Sequence, residues 1–188
     1  MSQEYAEVVR KPLQVGERSG RTLDQRLALR FPRWTAACAH LIGRLPPSSR
    51  LRQAMLWRAA RLAAEALNRR DVDAILLVYD PDYEFRPAHE FVESGFMPAR
   101  YRGPAGYQRF VSDWSEVWGA DLRLEPLELI DLGTRVVTLY NVPARAQASG
   151  VPLTGQWATV STLKNGRVIR DQVYLDHAEA LDFVGLLE

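Results

Sequence analysis

The sequence predicts an α+β fold, with helices laid on one face of a curved antiparallel sheet. Three observations predict it. Apolar residues recur with helical spacing up to about residue 79 and alternate thereafter. Three turn signals then divide the second half into four strand-like runs. One amphipathic helix precedes that series. The length of 188 residues suits one folded unit, and 47% apolar with 25% charged residues is ordinary globular composition. A chain of this size buries close to 70% of its unfolded surface, enough for a core and a cavity.

Residues 1–20 are polar, with Gly16 and Gly20, and read as a loose tail. Residues 22–44 read as two helical pieces. Thr22 and Asp24 suit the start of the first, and Pro32 the first turn of the second. Pro46-Pro47-Ser48-Ser49 breaks the pattern and supplies a cap. A strong helix follows over 49–69. Leu51, Met55, Trp57, Leu62, Leu67 and a row of alanines form its apolar stripe, and Arg50, Arg52, Arg58, Arg61, Arg69 and Arg70 its basic positions. A short helix spans 73–79. Asp80-Pro81-Asp82 is a turn, and Tyr83–Arg86 alternates like a first strand. A loop follows from Pro87 to Pro104. The helix over 104–119 places Tyr107, Phe110, Trp114 and Val117 on one face. The strand runs are Leu122–Leu132 (broken by Pro126), Arg135–Gln147, Thr154–Lys164 and Arg167–Asp176. Their turns are Asp131–Thr134, Ser149–Pro152 and Asn165-Gly166, the last being the strongest hairpin signal. A helix over 178–186 closes the chain. The organisation expected is a tail and basic helical extension over 1–48, then one domain over 49–188.

The net charge of +1 hides a split. Residues 1–70 carry 14 Lys and Arg against 5 Asp and Glu, and the remainder carries 10 against 18. Such asymmetry points to a surface that meets something. The basic segment has three destinations: the acidic remainder of its own or a partner subunit, an anionic membrane surface, or nucleic acid. Packing with solvation is the plain reading. Arg-rich helices with Leu and Trp also fit interfacial binding, but the alanine content and modest apolar stripe fit helix-on-helix packing at least as well, so a membrane surface is not the partner expected. No nucleic-acid reading motif accompanies Trp34 and Trp57, so no nucleic-acid partner is expected. The early residues hold no apolar signal region, and Cys38 stands alone, so a cytosolic protein without an internal disulfide is expected. Cys38 itself reads as a small buried thiol.

Four segments resemble the SnoaL-like branch of the nuclear transport factor 2-like superfamily. They are AEALNRRDVDAILLVYDPDYEFRP (64–87), YRGPAGYQRF (101–110), LEPLELIDLGTRVVTLY (124–140) and STLKNGRVIRDQVYLDHAEALDFVGL (161–186). The features carrying the likeness are Asn68-x-x-Asp71, Tyr79-x-Pro81-Asp82, Tyr101-Arg102-Gly103, Leu132-Gly133-x-Arg135-Val136 and Tyr174-Leu175-Asp176. The resemblance covers roughly residues 50–188. It implies a conical sheet wrapped around helices, enclosing a pocket for a small, largely apolar molecule. It also implies a homodimer through the outer sheet face. The fold hosts isomerases, cyclases, hydrolases and non-catalytic binding domains, so resemblance alone fixes no reaction. Tyr79, Tyr107, Trp114, Trp118, Trp157 and Thr159 are the residues expected to line the pocket, and the tryptophans equally suit a plain core.

Ketosteroid isomerases of that superfamily use a tyrosine in the first helix, an aspartate after the first strand and a later acid. Laid beside this chain, those positions fall near Ala63, at Pro87 or Ala88, and near Thr159. None can serve, and a carbon acid is not deprotonated without a placed base. Three other groups are candidates for proton transfer on a carbonyl compound. His89 follows the first strand, but its neighbour Glu90 diverges from it unless the backbone folds back. Asp171 lies on the last strand, where an inward carboxylate would be a raised-pKa acid; next to Arg170 and Arg167, a surface ion pair is its default. Asp176 ends that strand, and with Glu179 it reads as a helix-capping box. His40, His89, His177 and Cys38 lack ligand spacing, so no metal is expected. No phosphate loop or nucleophile elbow is present, and no cofactor is expected. Two readings therefore stand: a cyclase- or isomerase-like enzyme, and a non-catalytic ligand-binding or dimerisation module.

Overall fold

A computed structural model describes residues 8–12, 20–118, 123–145 and 152–187, without the side chains of 117, 118, 144, 145 and 152–154. The elements are β1 (Val9–Pro12), α1 (Leu23–Arg30), α2 (Pro32–Gly43), α3 (Arg50–Asn68) and α4 (Val72–Ile75). A single 3₁₀ turn (Leu76–Val78) leads into β2 (Tyr79–Arg86), α5 (His89–Glu93), β3 (Tyr101–Arg102) and α6 (Gly103–Trp118). Then come β4 (Glu125–Asp131), β5 (Arg135–Arg145), β6 (Pro152–Lys164), β7 (Arg167–Tyr174) and α7 (His177–Phe183). The strands form one sheet in the order β1-β4-β5-β6-β7-β2-β3, curled but unclosed. All neighbours are antiparallel except β2 and β7. The α+β class expected from the sequence is the class observed.

Local chemistry starts the helices where the sequence places them. Thr22 caps α1 in a reciprocal box with Gln25. Pro32 opens α2 in the position where its missing N–H costs nothing. Ser49 accepts from Arg52 N–H at 3.4 Å to cap α3. At the far end, Asp176 accepts from Ala178 N–H at 2.5 Å to cap α7.

The structure departs from the sequence reading in the first half of the chain. Part of the expected loose tail, Val9–Pro12, is an edge strand paired with Glu128–Asp131. Its ladder comes from a partner 120 residues away, which no local pattern encodes. Asp80-Pro81-Asp82 lies within β2 rather than before it, at the irregularity where the register with β7 shifts between Tyr79 and Glu84. His89–Glu93 is a short helix inside the expected loop. The turn read at Ser149–Pro152 falls on residues 149–151, outside the described ones.

The sheet buries side chains on both faces. On the concave side Tyr83, Phe85, Tyr107, Phe110, Trp114 and Trp157 pack together with α3, α4 and α6. On the outer side Ile130, Val137, Ala158 and Val160 pack beneath Ala180 and Val184 of α7 and the following turn. A fully buried ion pair ties the helices to the sheet. Arg52 of α3 grips Asp131 with Nε to Oδ2 at 2.7 Å and Nη2 to Oδ1 at 2.9 Å, and also donates to the Gly43, Leu45 and Gly133 carbonyls. Read from the sequence as one of the helix's basic positions, Arg52 is 3% exposed.

Helix α2 rests directly on the β6–β7 hairpin. A Cβ on Gly43 would lie 2.5 Å from Gly166 N, and one on Gly166 would overlap the Ala39 carbonyl. Backbone meets backbone here, and two glycines permit it. Gly43→Ala isolates the contact, because Gly166 also needs its positive φ of 74°. Alanine is the better helix former by about 1 kcal/mol, yet this substitution is expected to lower the melting temperature by about 3 °C or more. Thermal unfolding by circular dichroism checks it. An unchanged or raised melting temperature would mean that α2 does not bear on the hairpin.

Candidate functional site

Helices α2 and α3 and the concave faces of β5, β6 and β7 enclose a cavity of about 290 Å³. Its walls follow from strand alternation. Val136, Thr138 and Tyr140 project inward from β5, and Trp157, Thr159, Ser161 and Leu163 from β6. Across the ladder, Thr138 pairs with Thr159 and Ser161 with Asp171. The opposite wall is the inner side of α2, with Thr35, Cys38 and Ile42, and the alanine row Ala59, Ala60 and Ala63 of α3. Those alanines leave the space open: a larger residue at each would fill it. Cys38, expected as a buried thiol, is half-buried and borders this space.

Asp171 carries the polar character of the cavity. It is 1% exposed. Ser161 Oγ donates to its Oδ1 at 2.6 Å, and Tyr79 hydroxyl donates to its Oδ2 at 2.6 Å. Each carboxylate oxygen therefore keeps acceptor capacity. Burial pushes its pKa up to about 6, against the two hydrogen bonds, which favour the charged form. Burial, then the negative charge of Asp171, holds the Tyr79 phenol well above its ordinary value, so it stays a donor at neutral pH. Tyr140 is raised for the same two reasons, and its hydroxyl lies against those of Thr138 and Thr159.

The default ion pair expected for Asp171 does not form. A register shift between Thr162 and Leu163 of β6 turns Asp171 and Val173 inward, while Arg170 turns out toward Glu84 at 3.8 Å. The sequence held one signal of this: Asp171 alternates with apolar Val173 across polar Gln172, whereas Val168 shares the inward face only because of the shift, which leaves Ile169 outside beside Arg170. The role of Ser161 had no such signal, because only cross-strand register brings it to Asp171.

The other two proton-transfer candidates lie elsewhere. Asp176 is exposed and engaged as the cap of α7, though at the second helical N–H rather than the third. His89 is exposed at the start of α5, with Nδ1 3.3 Å from Glu90 and 4.0 Å from Glu179, so the two neighbours do converge. Among the described residues, His89, Glu90 and Glu179 are the group whose atoms lie closely enough for one ion, and all three face solvent away from the cavity. Of the expected pocket residues, Tyr79, Tyr107, Trp114, Trp157 and Thr159 border the cavity. The tryptophans are also core: Trp114 and Trp157 meet edge to face at 5.0 Å. The side chain of Trp118 lies outside the described residues.

The model of the SnoaL-like domain family matches residues 59–171. The chain belongs to that family. Solved structures with the same curled sheet include an NTF2-like protein of unknown function from Burkholderia pseudomallei, 25% identical, with a TM-score of 0.57. That likeness covers 68% of this chain and 95% of the other. TerC, co-crystallised with polyporic acid, is 24% identical over the same shares, with a TM-score of 0.57. A SnoaL-like protein of unknown function from Burkholderia thailandensis is 20% identical, covering 66% and 97%, with a TM-score of 0.51. Among curated proteins none matches the sequence. In this SnoaL-like chain the family match begins midway through α3, so α1, α2 and the first turns of α3 lie outside it. Asp171 is its last residue. No helix among the described residues is long and apolar enough to cross a membrane.

Proposed function

We propose that the cavity binds a small, largely apolar carbonyl compound and that Asp171 moves a proton on it. The observation that carries this reading is a buried carboxylate, poised near neutrality, bordering an apolar cavity with a free lone pair on each oxygen. Asp171 takes a proton from carbon next to the carbonyl, and the electron pair of that C–H bond moves into an enolate. Hydroxyls at Tyr140, Thr138 and Thr159 supply donors toward the developing oxyanion. Return of the proton to a different atom gives isomerisation; attack of the enolate carbon on a second carbonyl carbon of the same molecule gives ring closure, the C=O π pair moving onto that oxygen, which takes the proton back from Asp171. Tyr79 and Ser161 hold the carboxylate in one orientation throughout. His89 and Asp176 take no part in this scheme.

The test begins with apolar ketones that raise the melting temperature of the protein. The bound ketone is then followed in D₂O by NMR for exchange of its α-hydrogens. The wild type is expected to accelerate exchange at least about 100-fold over Asp171→Asn, while the variant keeps the ligand-induced melting shift. Equal exchange rates would remove Asp171 as the base. Binding without exchange in either protein would favour the non-catalytic module.

A further inference from the structure

We propose that the outward faces of α1, α2 and the first turns of α3 form a docking surface for an anionic lipid bilayer. The three helices repeat one pattern. On α1, Leu23 and Leu27 face outward with Arg26 and Arg30. On α2 the outward arc is Arg33, Trp34, Ala37 and Leu41, followed by Arg44 just past the helix end, and on α3 it is Arg50, Leu51 and Ala54. The apolar members are unusually open for their size: Leu23 is 77% exposed, Trp34 72% and Leu41 63%. Packing on the acidic remainder does not account for the arginines beside them. Arg21 pairs with Asp71 and Asp73, and Arg52 with Asp131, but Arg26, Arg30, Arg33, Arg44 and Arg50 meet no carboxylate among the described residues. The acids on this stretch, Asp24 and Glu65, are paired with Arg58 and buried, respectively.

Charge decides the occupant. A surface of Leu and Trp ringed by arginine, with no free carboxylate among its described residues, complements anionic headgroups above an acyl layer. Arginine stems lie along apolar surface while their guanidinium groups reach phosphate, and an indole settles at the headgroup level. The same helix that presents Trp34 and Leu41 outward lines the cavity with Thr35, Cys38 and Ile42 on its inner side. One helix thickness thus separates the bilayer from the cavity, which gives a lipid-dissolved guest a short route inward. That route rests on the cavity reading; the docking itself does not.

Flotation of the full chain with vesicles tests the docking. The protein is expected to float with vesicles of phosphatidylcholine and phosphatidylserine, to stay down with phosphatidylcholine alone, and to be released by salt. The pair Trp34→Glu and Leu41→Glu is expected to abolish flotation with the melting temperature unchanged, since both side chains are open to solvent. Arg30→Glu with Arg33→Glu is expected to weaken it at least tenfold. Failure of the wild type to float on anionic vesicles overturns the proposal, as does undiminished flotation of the Glu variants. A dimer by light scattering that Trp34→Glu dissolves would assign the surface to a second copy and overturn it equally. Asp171→Asn is expected to float like the wild type whatever the exchange experiment shows, so the two readings fail separately.

Discussion

Replacing Arg52 by alanine is expected to destabilise the protein by about 3–5 kcal/mol, because it strands the Asp131 carboxylate in the interior. Asp131 is 1% exposed and its oxygens receive two guanidinium N–H groups, with Gly133 N–H as the remaining donor at 2.9 Å. The loss is compounded at the α2–α3 turn, where the Gly43 and Leu45 carbonyls lose their donor. Urea unfolding of Arg52→Ala, Asp131→Ala and the combined Arg52→Met with Asp131→Leu separates the causes. Each single variant leaves one buried group uncompensated. The apolar pair removes both charges and is expected to recover most of the stability. A cost below about 1 kcal/mol for Arg52→Ala would place the pair in the class of solvated surface bridges.

Asp171→Asn is expected to stabilise the fold at neutral pH and, under the proposed function, to remove proton transfer. The folded pKa of Asp171 lies at about 6, above the ordinary carboxylate value of 3.8. Between those two values the native state binds more protons than the unfolded chain, so stability falls as pH rises from about 4 to 6. Above pH 7 the carboxylate costs on the order of 3 kcal/mol relative to its protonated form. Asparagine keeps one accepting oxygen for one of the two hydroxyls, its NH2 group donates to the other once that hydroxyl turns, and it carries no charge. Its melting temperature is therefore expected to exceed the wild type's above pH 7, with the gap closing toward pH 4. Parallel thermal scans across that range check it. A wild-type stability that rises from pH 4 to 7 more steeply than the variant's would mean that the carboxylate is solvated.

Much of the fold was legible because it rests on local chemistry. Thr22, Pro32, Ser49 and Asp176 start their helices by side-chain or ring effects acting within a few residues. Asn165-Gly166 sets the β6–β7 hairpin by positive φ at both positions. The misread parts depend on distant partners. Val9–Pro12 is a strand only because Glu128–Asp131 offers it an edge. Arg52 looks like any surface arginine until Asp131, 79 positions on, is brought beneath it. Asp171 stands beside His89 and Asp176 as a candidate in the sequence, but one irregular rung between β6 and β7 decides which way it faces. Single-residue shifts of that kind exchange inside for outside across a strand.

The position of α2 has a consequence for how such a chamber could change its guest. The Asp171 carboxylate belongs to the stretch shared with the family, whereas part of the roof is supplied from upstream of it. Exchanging that roof segment would reshape the chamber while leaving Asp171 and its two hydroxyl supports untouched, so under the proposed function the choice of guest and the proton transfer reside in separable stretches of the same polypeptide.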